Sequence, residues 1–115
     1  MATITTHVLN GVRGTHAAGV MVSLVECASG QAVFSGRTDG NGRLSHSFEI
    51  GNPGAEARYD LVFASGEYWR EQGVADETPP AVNECVFRFV ITKADGHYHI
   101  PVNLSPHSHA VWWSR

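Results

Sequence analysis

Short runs of alternating polar and apolar residues, separated by glycine-rich turns, make up most of this sequence. Successive side chains of a β-strand point to opposite faces, so this alternation indicates half-buried strands. The candidate strands cover residues 4–9, 20–27, 31–38, 44–50, 58–65 and 82–92, the segment around 97–101, and residues 109–113. Helical periodicity is limited to residues 67–72. We therefore predict an all-β sandwich or barrel of about eight strands with one short helix.

Length and composition favour a single globular domain over residues 1–115. A formal net charge of −3 and a pI near 6.1 give the chain no basic surface for nucleic acid. The N-terminal segment lacks the basic and apolar parts of a signal peptide, and no apolar run approaches the ~20 residues of a membrane helix. We therefore predict a cytoplasmic protein in which Cys27 and Cys85, both in strand-like runs, are free and buried.

A pair of histidines lies in the segment that ends at Pro101, where His97 and His99 flank a tyrosine. In an extended strand these two side chains point to the same face. Histidine is the residue whose ordinary pKa lies nearest neutral pH, which suits it to proton transfer or metal binding. This segment is therefore the first candidate for a functional site.

Two further candidates lie far away along the chain. His7 is inside the first candidate strand, and Arg43 follows a tight turn at residues 39–42. Taken singly, Arg43 fits a solvated residue after a turn, and His7 fits a hydrogen-bonded strand residue. His16 and His46 have no supporting context, and we predict that both lie on the surface.

Metal binding is the alternative chemistry for these histidines. His97 and His99 form one pair at strand spacing, and His107 and His109 form another. Imidazole is a common metal ligand, but no cysteine or carboxylate pattern completes a recognisable site. We expect no physiological metal, and adventitious nickel or zinc at most.

Three short segments stand out in their order along the chain: residues 5–10 (Thr-Thr-His-Val-Leu-Asn), 38–43 (Thr-Asp-Gly-Asn-Gly-Arg) and 97–101 (His-Tyr-His-Ile-Pro). Together with residues 59–63, 66–68 and 104–106, they resemble the transthyretin-related 5-hydroxyisourate hydrolases. The resemblance spans the whole chain. It implies a transthyretin-like two-sheet sandwich of eight strands, with a short helix after the fifth.

The resemblance also implies a function and a set of catalytic residues. Members of this family are cofactor-free homotetramers with active sites in a channel between dimers. They open the ring of 5-hydroxyisourate, a product of urate oxidation, to give 2-oxo-4-hydroxy-4-carboxy-5-ureidoimidazoline. The catalytic residues carry over as His7, Arg43 and His99. Arg43 would then orient the substrate and support the oxyanion, and the two histidines would share water activation and nitrogen protonation.

The C-terminal tetrapeptide departs from the family pattern. The family ends in Tyr-Arg-Gly-Ser, whereas this chain ends in Trp112, Trp113, Ser114 and Arg115. We expect these four residues, together with His97, to bind the substrate. The two indoles fit two interpretations, a contact between subunits or an aromatic wall of the pocket.

Two other functions therefore stay open. One is a related enzyme that opens, hydrates or isomerises a different small heterocycle with the same histidines and arginine. The other is a ligand-binding protein without catalysis, as in transthyretin itself. The altered ending favours the first of these, and the retained histidines and arginine argue against the second.

Overall fold

Two β-sheets enclose a shared apolar core in the computed structural model of the protein, which describes residues 1–74 and 80–115. In chain order the elements are β1 (Ala2–Asn10), β2 (Thr15–His16), β3 (Met21–Glu26), β4 (Ala32–Arg37), β5 (Arg43–Phe48), β6 (Arg58–Phe63), α1 (Ser65–Glu71), β7 (Cys85–Val90), β8 (His97–His99), β9 (Val102–Ser105) and β10 (Ser108–Val111). The first sheet contains β1, β2, β5, β8, β9 and β10, and the second has the order β4-β3-β6-β7. The predicted all-β sandwich with one short helix is confirmed.

The described residues form ten strands rather than the eight or so expected from the sequence. One extra strand is β2, which at two residues is too short to show any alternation. The other is β9, which follows the predicted histidine strand and is separated from β8 by Ile100 and Pro101. Proline has no backbone N–H to donate to a neighbouring strand, so the ladder is interrupted there.

The helix begins two residues before the predicted range of 67–72 and ends one residue before the end of that range. The sequence does not indicate the earlier start, because the first turn contains residues with low helix propensity. Tyr68 N–H donates to the Ala64 carbonyl at 3.2 Å, so Ser65 and Gly66 belong to the first turn. Gly66 N–H donates to the Asn83 carbonyl at 2.9 Å, which ties the segment before β7 to the helix. The sequence predicts a strand over 82–92, whereas β7 begins only at Cys85. Among the described residues, no helix has the length and apolarity that a membrane crossing requires.

Strand β1 lies in the middle of the first sheet and shows a strict alternation of burial. Its even-numbered residues are buried and its odd-numbered residues from 3 to 9 are only partly buried. The core beneath it includes large side chains that solvent does not reach, such as Phe63, Leu24 and Leu61. Burying each of these contributes roughly 1.5–3 kcal/mol to the free energy of unfolding. The packing thereby fixes which side chains of β1 face outward.

Both cysteines are free, as predicted, but they differ in burial. Cys85, the first residue of β7, is buried, and this burial raises the pKa of its thiol to about 11. Cys27 is only partly buried, because it follows the end of β3 at the margin of the second sheet. The prediction of burial is therefore confirmed for Cys85 alone.

Candidate active site

The outer face of the first sheet carries the three predicted catalytic residues side by side. The alternation along β1 turns Thr5 and His7 away from the core. Arg43 lies directly opposite His7 in the antiparallel ladder between β1 and β5. His99 lies directly opposite Thr5 in the parallel ladder between β1 and β8. Directly paired residues project to the same face, so His7, Arg43 and His99 share one surface.

The hydroxyl of Thr5 links the two histidines of β8. Its Oγ1 lies 2.8 Å from Nδ1 of His99 and 3.0 Å from Nε2 of His97. A hydroxyl has one proton to donate, so at least one of these imidazole nitrogens must be protonated and donate to Oγ1. Thr5 therefore fixes both rings and restricts the nitrogen on which each carries its proton.

The turn before β5 sets the position of Arg43. The Asp39 carboxylate accepts hydrogen bonds from the backbone N–H groups of Asn41 at 2.8 Å and Arg43 at 3.0 Å. These two bonds, followed by the nearby charge of Arg43, hold the pKa of Asp39 below its ordinary value. Gly42 has a φ of 73°, and its carbonyl accepts the Val8 N–H at 2.7 Å. The turn is thereby anchored to β1 next to His7.

A cavity of about 640 Å³ opens on this face. Its lining includes Thr5, Asp39, Arg43, His97 and His99. His7 is the cross-strand neighbour of Arg43 and lies beside the cavity rather than in its lining. The volume is of the order that small-molecule sites occupy.

Both candidate catalytic histidines are held in the neutral form. Burial first, and the positive charge of Arg43 second, lower the pKa of His7 and of His99 below the ordinary value of 6.5. The neighbouring His16 lowers the pKa of His7 further, and His97 does the same for His99. Hydrogen bonds to the backbone, at Asn41 for His7 and at Thr5 for His99, oppose the shift in part. At neutral pH each ring can therefore accept a proton.

This arrangement suits hydrolysis of a small planar substrate. A neutral imidazole can remove a proton from water, and the resulting imidazolium can return it to a leaving nitrogen. The Arg43 guanidinium is charged at any working pH and presents planar N–H donors to an oxyanion. The face therefore combines proton transfer with a fixed positive charge.

The C-terminal tetrapeptide divides between this face and the neighbouring edge of the sandwich. Ser114 forms an antiparallel bridge with His99, and its N–H donates to the His99 carbonyl at 2.8 Å. Bridge partners project to the same face, so Ser114 lies on the site's side of the sheet. The Trp113 ring lies 5.9 Å from that of buried Tyr98, and the Arg115 guanidinium lies 5.1 Å above Trp113.

Trp113 and Arg115 line a second depression of about 430 Å³, next to the first. His97 lines both depressions and so connects them. Trp112 is 45% exposed, and its backbone N–H donates to the Pro101 carbonyl at 3.3 Å. Within one chain the structure thus brings Ser114 to the catalytic candidates and leaves Trp113 and Arg115 on the adjoining edge.

The sequence profile of the HIUase/Transthyretin family matches residues 4–113. The chain belongs to this family. A relative named 5-hydroxyisourate hydrolase from Pseudomonas aeruginosa is 33% identical over 114 residues, which cover 97% of this chain and 90% of the relative. The protein 5-hydroxyisourate hydrolase 2 from Rhizobium meliloti is 33% identical over 111 residues, covering 95% of this chain and 92% of the relative.

Solved structures support the same assignment of this HIUase/Transthyretin family member. The 5-hydroxyisourate hydrolase of Klebsiella pneumoniae superposes with a TM-score of 0.82 at 27% identity, and all of both chains is covered. A structure described as (S)-allantoin synthase superposes with a TM-score of 0.78, also at 27% identity. That match covers 99% of this chain but 44% of the other, which is a longer protein.

Of the two histidines of this family member that were predicted to lie on the surface, His16 does so and His46 does not. His16 is exposed, but its Nδ1 lies 2.9 Å from Nε2 of His7, so it belongs to the site. His46 is half-buried and stacks on Phe34, with ring centroids 4.1 Å apart. The alternation along β5 could have predicted the partial burial of His46, because His46 shares a face with inward-facing Leu44. No comparable pattern marks His16.

The two histidine pairs considered for metal binding, His97 with His99 and His107 with His109, differ in their surroundings. Among residues 1–74 and 80–115, no three His, Cys, Asp or Glu side chains form a group that could hold a metal ion. Nδ1 of His99 and Nε2 of His97 both contact Thr5. His107 and His109 lie in exposed positions near and within β10.

Proposed function

We propose that this protein hydrolyses 5-hydroxyisourate to 2-oxo-4-hydroxy-4-carboxy-5-ureidoimidazoline, in the breakdown of urate. The observation that carries the proposal is the convergence of His7, Arg43 and His99 on one face beside an open cavity. These residues are far apart along the chain and meet only through the pairing of β1 with β5 and β8. Relatives that are 33% identical over nearly the whole chain carry the name of this activity.

The residues divide the chemistry between them. Arg43 holds the substrate and balances the negative charge that develops on the carbonyl oxygen when water attacks. One neutral imidazole of the pair His7 and His99 removes a proton from that water. The carbonyl–nitrogen bond then breaks, and an imidazolium of the same pair supplies the proton that the departing nitrogen needs. No cofactor enters this scheme.

Substrate binding is assigned to the residues around this centre. His97 lines the cavity, and Ser114 pairs with His99 at its border. Trp112, Trp113 and Arg115 complete the binding surface when subunits assemble. The indoles then face a planar heterocycle or a neighbouring subunit, and either use removes exposed apolar area from water.

The active form is a cytoplasmic homotetramer of single-domain chains, with the site in a channel between dimers. Two features support assembly: the catalytic face is open to solvent in one chain, and Trp112 and Trp113 are each nearly half exposed. Large exposed indoles are typical of contacts between subunits. A second face across the channel would exclude water from the reacting groups.

A related reaction on another small heterocycle is the second candidate. The observation that favours it lies at the sandwich edge, where the Arg115 guanidinium lies over Trp113 and Trp113 packs at a tilt beside Tyr98. This ending presents an indole and a terminal guanidinium where the family pattern has tyrosine, arginine, glycine and serine. Different residues around the same His7, Arg43 and His99 would change which substrate is preferred, while the type of reaction stays the same.

The test is to generate 5-hydroxyisourate in place with urate oxidase and to follow its ultraviolet decay. The wild-type protein is expected to accelerate the decay well above the spontaneous rate. His99→Asn should lower turnover by about 10²–10⁴-fold, because it removes a proton-transfer group. His107→Asn, which changes an exposed histidine outside the site, is the matched control and should retain wild-type turnover.

Two results would contradict this proposal. Decay at the spontaneous rate with wild-type protein would exclude 5-hydroxyisourate as the substrate and favour the second candidate. Full turnover by a folded His99→Asn variant, with unchanged far-ultraviolet circular dichroism, would remove His99 from the mechanism.

A further inference from the structure

His16 contacts His7 directly, although the strand that carries it contains only two residues. Nε2 of His7 lies 2.9 Å from Nδ1 of His16, and the ring centroids are 5.0 Å apart. At this distance one of the two nitrogens carries a proton and donates it to the other, because two lone pairs would repel. The contact therefore selects an orientation of the His7 ring and couples the tautomer of His7 to that of His16.

The chain around His16 is ordered by several independent contacts. The Asn10 side chain, at the end of β1, accepts two backbone N–H groups of the following turn, at 2.9 and 3.0 Å. Leu9 then pairs with His16 across the ladder between β1 and β2. A Cβ atom at Gly42 would lie 3.3 Å from Cβ of His16, so glycine there leaves room for the histidine. His16 is thus held against β1 and against Gly42, the turn residue that directly precedes Arg43.

We propose that His16 is a positioning residue for His7 in the hydrolysis of 5-hydroxyisourate, and this inference rests on the proposed function. The torsion that rotates a histidine ring is broad and roughly two-fold, so an unpartnered ring exchanges its nitrogen and carbon edges. The hydrogen bond between His16 and His7 acts together with the backbone hydrogen bond at Asn41 to keep the ring in one of these orientations. His16 acts through His7 and does not itself touch the substrate.

Substitutions at position 16 separate this role from a structural one. His16→Ala should lower kcat about 10- to 100-fold and leave KM nearly unchanged, because the reacting group is misplaced while substrate contacts persist. His16→Asn keeps an amide nitrogen close to the place of Nδ1 and should restore most of kcat. Thr15→Val alters the neighbouring residue of the same strand and is the matched control, with kcat expected at the wild-type value.

A measurement without substrate tests the contact itself. Nitrogen-15 NMR of the imidazoles should show a shift of the His7 Nε2 resonance in His16→Ala, a return towards the wild-type position in His16→Asn, and no shift in Thr15→Val. If the wild-type protein fails to hydrolyse 5-hydroxyisourate, the proposed function is wrong, and the resonance still shows whether His16 orients His7. An unchanged His7 resonance in His16→Ala, or an unchanged kcat in that variant, would overturn the inference.

Discussion

At the scale of single residues, the site depends on one hydroxyl that serves two imidazoles. Thr5→Val removes Oγ1 with little change of shape, and both His97 and His99 lose the partner at 2.8–3.0 Å that orients them. We expect kcat to fall by about 10- to 100-fold through misplacement of His99, with a cost of about 1 kcal/mol in the free energy of unfolding. Steady-state kinetics and urea denaturation measure the two effects.

The control for this substitution lies two residues away on the same face. The Thr3 hydroxyl is 2.8 Å from the Ser47 hydroxyl, so Thr3→Val also removes one hydroxyl contact from the outer face. Its effect on the free energy of unfolding should be similar, but kcat should stay near the wild-type value. Equal losses of kcat in both variants would show that Thr5 has no special role.

The pH dependence of activity follows from the lowered pKa values of His7 and His99. Both rings carry a folded-state pKa below 6.5, so they stay neutral at pH values where an unperturbed histidine is already protonated. We expect kcat/KM to fall only below pH 6.5, as the neutral base is lost. The same shift means that the unfolded chain binds protons more readily, so the free energy of unfolding also declines as pH drops below 6.5.

Removing the charge of Arg43 provides the check on this prediction. Arg43 is the second cause of the shift in both rings, after burial. Arg43→Gln should therefore move the acid limb of kcat/KM to higher pH, towards 6.5, in addition to lowering kcat. A wild-type limb centred above pH 6.5 would contradict neutral histidines as the working form.

The sequence was informative about the residues of the site to the extent that they lie in regular strands. His7, Arg43 and His99 could be nominated together, and the structure does place them on one face. Their catalytic role stays a prediction. His16 could not be found in this way, because β2 has only two residues and therefore no alternation to read. Its contact with His7 exists only once the turn after β1 has formed.

At the scale of elements, the turn before β5 couples the fold to the site. Gly42 has a φ of 73°, and a Cβ atom there would lie 2.5 Å from the Val8 carbonyl oxygen. Gly42→Ala should lower the free energy of unfolding by about 3 kcal/mol or more, since both the left-handed backbone and the overlap are unfavourable. Because Arg43 follows directly, kcat should fall as well. Urea denaturation and steady-state kinetics measure these losses.

Gly14 is the matched comparison for the turn glycine. It has a φ of 69°, but a Cβ atom there would meet nothing within 4 Å among the described residues. Gly14→Ala should therefore show the backbone cost alone, about 1–2 kcal/mol, with kcat retained. Equal destabilisation by the two substitutions would mean that the contact between the turn and β1 contributes nothing.

Alternation predicted most strands, but it could not predict how they pair. The parallel pairing of β1 with β8 joins segments separated by more than 90 residues, and it alone places His99 opposite Thr5. Boundaries were also displaced where a contact outside the segment decides them. The Asn83 carbonyl, for example, binds the Gly66 N–H of the helix, and β7 begins only at Cys85. Sequence patterns record which face is buried, not which neighbour covers it.

At the scale of the whole molecule, the face that carries His7, Arg43 and His99 is exposed together with the C-terminal indoles. Trp112 and Trp113 are 45% and 46% exposed, although an indole of this size contributes strongly when buried. Trp113 packs beside Tyr98 within the chain, and the backbone N–H of Trp112 donates to the Pro101 carbonyl. Assembly into a tetramer would cover this surface and close the open side of the cavity.

Light scattering after size-exclusion chromatography tests that assembly. The wild-type protein should elute with the mass of four chains of 12.5 kDa each. Trp112→Ala should shift the mass towards smaller species at micromolar concentration and lower the activity per chain, because truncating a central interface indole costs about 2 kcal/mol or more. Val33→Ala shortens an exposed apolar side chain on β4, in the other sheet, and should leave the mass unchanged. A wild-type monomer that hydrolyses 5-hydroxyisourate at full rate would show that one open face is sufficient, whereas an intact Trp112→Ala tetramer with a raised KM would assign that indole to the pocket.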